Sequence, residues 1–207
     1  MLDKSCNSFI DELASSAPVP GGGSASALVA AIGMALGSMV GELTAGKKGY
    51  EEYENEISEL LFKSGELIKE FRNLVQLDID AFGRLSEAYK IPKGSEEENL
   101  RRTEQIQKAL HDAAQAPIMI VEACVKALKL IDSYSLIGNK NLLTDAGTGS
   151  SLCLAALKGA RLNALINIKS MKDTELKAAL QRQLDTSTDA GEHLAKITYE
   201  RVEKACF

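Results

Sequence analysis

From Leu13 to Gly41 the chain carries no charged side chain, although Asp, Glu, Lys and Arg make up 26% of the whole. A stretch of this length must be buried inside a protein or inserted in a bilayer. Its core, SASALVAAIGMALGSMVG, is largely Ala, Gly and Ser, and prolines and glycines interrupt its start at APVPGGGSAS. Small residues favour a tightly packed interior helix over a lipid-facing one. Gly33, Gly37 and Gly41 recur every four residues on one face, where they let another helix backbone approach closely.

No apolar/polar alternation of strand type occurs, and the mix is rich in Ala, Leu, Lys and Glu, with no Trp. The sequence therefore predicts an all-α, antiparallel bundle of about six helices in one domain spanning 1–207. Expected helices cover about 3–15, 24–44, 51–89, 95–130, 145–171 and, opened by KDTE, 172–206. Ser24 and Asp145 are placed to cap the second and fifth helices, and Ser95 with the acids after it opens the fourth. Pro117 is expected to kink or break that helix. A net charge of −5 argues against a nucleic-acid partner. Cys6, Cys124, Cys153 and Cys206 form no C-x-x-C pair, and His111 and His193 lie far from them in sequence, so no metal site is expected. The cysteines read as reduced thiols of a cytoplasmic protein, and charges at residues 3, 4, 11 and 12 leave no room for a signal peptide.

The third helix holds a seam of alternating four- and three-residue steps: Ile57, Leu61, Ser64, Ile68, Phe71, Val75, Asp78, Phe82, Leu85. Asp78 interrupts this buried stripe. A carboxylate there is costly unless paired and has a raised pKa unless donors oppose it. It suits a general acid or base, and it equally suits a cap or pair to a neighbouring helix. Asp80 falls about 200° further round the helix. Asn163 and Asn167 share one face of the fifth helix with Ala156 and Ala160, either lining a pocket or bonding across helices. Asn139, Asn141 and Asp145 lie in the link before it. The glycines at 21–23 precede a helix N-terminus, whose free amides attract anions or carbonyl oxygens. They follow no strand and precede no Lys-Ser pair, so neither a dinucleotide fingerprint nor a P-loop fits. A sharp turn into a close-packed helix explains them as well as a ligand does.

Taken together, SAPVPGGGSASALVAAIGMALGSMVGELTAGKKGY, LDIDAF, IPKGSEEENLRRTEQIQKAL, AAQAPIMIVEAC, GNKNLLTDAG and GARLNALINI resemble, in order and over nearly the whole chain, the formiminotetrahydrofolate cyclodeaminase and methenyltetrahydrofolate cyclohydrolase family. The resemblance implies an all-helical dimer acting at the one-carbon bridge between N5 and N10 of tetrahydrofolate. It implies no cofactor or metal beyond that substrate, whose tail carries one or more glutamates. In the implied site Asp78, or Asp80 in an alternative alignment, moves the proton. Gly21, Gly22, Gly23 and Ser24 hold a polar edge of the folate. Asn163 and Asn167 bond the pterin, with Asn139, Asn141 and Asp145 near them. Lys47 and Lys48, or secondarily Arg101 and Arg102, meet the tail. Two other classes stay open: a catalytically silent folate- or anion-binding bundle, and an interaction scaffold.

Overall fold

The computed structural model describes residue 2 and residues 5–207. Six helices account for most of them: α1 (Cys6–Leu13), α2 (Gly22–Glu42), α3 (Glu54–Lys90), α4 (Glu96–Ile137), α5 (Leu143–Lys169) and α6 (Thr174–Ala205). No strand occurs among the described residues. Short links after α3, α4 and α5 reverse the chain each time, giving the antiparallel bundle. The first expected helix began at residue 3; residues 3 and 4 lie outside the described residues.

Local chemistry sets several boundaries. Ser95 and Glu98 form a reciprocal capping box at the start of α4. Asp173 caps α6 by accepting from the amides of Glu175 and Leu176. Two expected caps are corrected. Gly21, not Ser24, precedes α2, so Ser24 stands inside the first turn with its hydroxyl free to reach another helix. Likewise α5 begins at Leu143, which leaves Asp145 in its first turn rather than at its cap.

Pro117 does not break α4, which runs unbroken for 42 residues. A proline lacks the N–H that would bond the carbonyl four residues earlier, here that of Ala113. Asn167 of α5 fills the gap: its Nδ2 donates to the Ala113 carbonyl oxygen at 3.0 Å.

Helix α2, uncharged up to its last residue Glu42, packs against α3, α4 and α5. It is long and apolar enough to cross a membrane by length and composition, but Ala27, Ala30, Met34 and Val40 are fully buried in protein. The glycine repeat serves helix contact. A Cβ on Gly33 would stand 2.8 Å from both the Cys153 Sγ and the Gly149 carbonyl of α5. Gly37 and Gly41 give the same room to Ile131 and Tyr134 of α4. Against this close-packed side stands an outer face where Ile32, Met39 and Leu43 are exposed.

Candidate active site

The α3 seam is buried where expected at Ile57, Ser64, Phe71, Val75 and Leu85. Asp78 is half-buried, and Phe82, one turn on, is 45% exposed. The seam therefore opens at these two residues, and both line a cavity of about 200 Å³. Its opposite walls come from the loop and first turn of α2 at Gly21, Gly22 and Gly23, and from Asn163, Ile166 and Asn167 of α5. Ala113 and Pro117 of α4 close it.

The glycine triplet is explained by what sits on it. A Cβ on Gly23 would collide with the Asp78 carboxylate, and one on Gly22 would stand 2.9 Å from the Asn163 Nδ2. At Gly21 a Cβ would meet nothing within 4 Å. The second and third glycines are thus close-approach positions, which bring the main chain of α2 against Asp78 and Asn163.

Ser24 completes the contact. Its Oγ donates to Asp78 Oδ2 at 2.7 Å, joining α2 to α3. Burial pushes the Asp78 pKa above the usual aspartate value, while the Ser24 hydroxyl and backbone amide pull it partly back. Asp78 is the one ionisable group among the residues lining this cavity. Its proton is thus held more firmly than on a free aspartate and sits beside a hydroxyl through which it can exchange.

The paired amides are oriented by their own helix. Asn163 Nδ2 donates to the Gly159 carbonyl at 2.9 Å, and Asn167 Nδ2 donates to Asn163 O at 3.1 Å as well as to Ala113. Both hydrogens of Asn167 Nδ2 are thus used, Asn163 Nδ2 keeps one, and neither Oδ1 accepts a side-chain or backbone hydrogen bond among the described residues. Bonding across helices and lining a pocket, alternatives on spacing alone, are both realised at Asn167.

The remaining sequence candidates lie elsewhere in the chain, away from this cavity. Lys47 and Lys48 follow the C-terminal end of α2, a helix of 21 residues, hence about 30 Å from its N-terminal glycines. Asn139 belongs to that far end. It is buried, its amide donates to Thr44 Oγ1 at 2.9 Å, and its Oδ1 accepts from the Asn141 amide at 3.2 Å. Asp145 lies one turn into the helix that follows. The resemblance alone groups these residues with the glycines; within one chain the length of α2 separates them. Asp80 faces outward and accepts from Gln76 Nε2 at 2.8 Å. Arg101 pairs with Glu97 on the surface, and Arg102 holds the α3–α4 link through the carbonyls of Tyr89 and Ile91. Phe82, Ile166 and Pro117 are cavity residues that the sequence reading did not single out. An aromatic one turn beyond an interrupting carboxylate was the available signal for Phe82.

Residues 5–186 match the family model for formiminotransferase-cyclodeaminase. The chain belongs to this family. It is 35% identical to a methenyltetrahydrofolate cyclohydrolase of Methylorubrum extorquens over 97% of both chains. It is 31% identical to the formimidoyltransferase-cyclodeaminase of Rattus norvegicus over 90% of this chain but 34% of that one, so it spans about a third of the longer relative. The crystal structure of formiminotetrahydrofolate cyclodeaminase from Thermotoga maritima superposes with a TM-score of 0.81 at 30% identity, covering 98% of this chain and 95% of that one. The family expected from the sequence motifs and the all-α bundle are both observed.

Proposed function

We propose that the chain acts on the one-carbon bridge between N5 and N10 of tetrahydrofolate, as a formiminotetrahydrofolate cyclodeaminase. One observation carries this: the half-buried Asp78, its pKa raised, lies against Gly23 and Ser24 in a cavity that also holds the Asn163 and Asn167 amides. In the reaction N10 attacks the formimino carbon, a tetrahedral carbon forms, and ammonia leaves to give the 5,10-methenyl bridge. The leaving nitrogen needs a proton, and Asp78 is the group to supply it. A carboxyl with a raised pKa keeps its proton to higher pH and is the better acid donor near neutrality. The free amides at the α2 N-terminus would hold a carbonyl edge of the pterin, and the Asn Oδ1 atoms would accept from its N–H groups.

A second reading is favoured by the end-to-end match to the Methylorubrum extorquens enzyme. A methenyltetrahydrofolate cyclohydrolase adds water to the same bridge and opens it to 10-formyltetrahydrofolate. Asp78 would then take a proton from water and return it to the nitrogen. One pair of assays separates the readings. With 5-formiminotetrahydrofolate, a rise in methenyl absorbance supports the cyclodeaminase. With 5,10-methenyltetrahydrofolate, an accelerated fall supports the cyclohydrolase. Acceleration of neither overturns both, and folate binding without turnover leaves a silent binder.

The working form we propose is a cytoplasmic homodimer. The exposed apolar face of α2, with Ile32, Met39 and Leu43, supports a second copy packing there. The buried thiols of Cys124 and Cys153 suit a reducing compartment.

A further inference from the structure

At about 200 Å³ the Asp78 cavity is smaller than the roughly 300–1,000 Å³ of pockets that enclose a drug-sized ligand. On the folate reading, on which this inference rests, it has room for the bicyclic ring. The aminobenzoyl-glutamate arm must leave it. Pro18, Val19 and Phe82 line the cavity and also line an open groove of about 760 Å³ along the outer side of α3. The two spaces adjoin, and Phe82 stands at their junction with nearly half its surface uncovered. An exposed ring at such a place offers a platform for a flat aromatic group.

Charge in the groove is distributed unevenly in its commitments. Asp80 is engaged by Gln76, and Lys90 is tied to Glu87 at 2.6 Å. Arg84 lines the same groove, is exposed, and makes no hydrogen bond or ion pair among the described residues. Gly83 beside it adds no side chain to the floor, and a Cβ there would meet nothing within 4 Å.

We propose that this groove is the subsite for the acidic arm of the substrate, with Phe82 stacked on the aminobenzoyl ring and the Arg84 guanidinium on a glutamate carboxylate. A planar guanidinium binds carboxylate with two parallel hydrogen bonds, which a lysine cannot reproduce. Within one chain Arg84 and the cavity residue Phe82 line the same groove, whereas Lys47 and Lys48 sit at the far end of α2.

The test is steady-state kinetics of the full chain on monoglutamyl and pentaglutamyl forms of whichever bridge substrate it converts, with Arg84→Ala, Arg84→Lys, Lys47→Ala and Lys48→Ala. Arg84→Ala is expected to raise KM about fivefold, more for the longer tail, with the effect confined to KM. Arg84→Lys recovers part of it, and added salt erases the difference between wild type and Arg84→Ala. An Arg84→Ala KM equal to wild type for both tails overturns the subsite. So does a KM effect carried by Lys47→Ala or Lys48→Ala instead, which would bring the cations from a second subunit. Absence of turnover together with absence of folate binding in calorimetry overturns the folate reading and this subsite with it.

Discussion

Ser24 Oγ and Asp78 Oδ2 meet at 2.7 Å across 54 residues of sequence, and this one bond fixes α2 to α3 at the cavity wall. A donor to the charged form and a burial that favours the neutral form act on the same group in opposite directions. Net burial prevails.

Asp78→Asn keeps the shape of this contact and removes the proton carrier. Turnover on either bridge substrate is expected to fall about a hundredfold to ten-thousandfold, the usual share of a positioned acid or base. Folate binding should persist. Stopped assays alongside calorimetric titration separate the two effects.

The same carboxyl links stability to pH. Its pKa lies above the usual 3.8 in the folded chain, so the folded state binds the proton more tightly than the unfolded one. Stability from this group therefore falls as pH climbs from 3.8 through the raised folded value, and is level above it. Melting curves of wild type and Asp78→Asn should converge at the acid end and separate in the variant's favour as pH rises through that window. A gap that is independent of pH would contradict the assignment.

Gly23→Ala forces a methyl group into the Asp78 carboxylate. Such overpacking typically costs about 1–3 kcal/mol, and here it also displaces the acid group. Gly21→Ala meets open space at φ −126° and should stay close to wild type in both stability and activity. Thermal unfolding and kcat/KM measured side by side test the contrast; equal damage at both positions would show that the loop's flexibility, not contact, is what the glycines supply.

Ile32→Glu places a charge on the exposed face of α2. If two copies meet there, light scattering should report a shift from dimer to monomer. The monomer fold should lose no more than about 0.5 kcal/mol, as for other surface changes. A wild-type chain that is monomeric at all concentrations removes the proposal.

Much of this was written plainly in the sequence. The seam of α3 placed Asp78 among apolar neighbours, and the four-residue spacing of Asn163 and Asn167 put them on one face; both lie in the cavity. The glycines at 21–23 left a sharp turn and a ligand equally open; contact with Asp78 and Asn163 singles out Gly22 and Gly23. Three things were not legible. The seam treated Phe82 as buried, since periodicity gives a face and not the hole that face looks into. Ser24 looked like a cap because its partner is 54 residues away. Lys47 and Asn139 were expected in the site from the family resemblance, which does not carry the length of α2 that separates them from the glycines within one chain.

Pro117 and Asn167 are coupled through a single carbonyl, that of Ala113. With the ring in place, the asparagine amide answers a carbonyl that the helix has left open. Restoring an N–H by Pro117→Ala would give that oxygen a second donor and leave the asparagine amide held only by the Asn163 carbonyl of its own helix. Relatives that dispense with the proline should therefore have little reason to retain the asparagine in the same pose, and each such pair becomes a natural experiment on how the wall beside Asp78 is held.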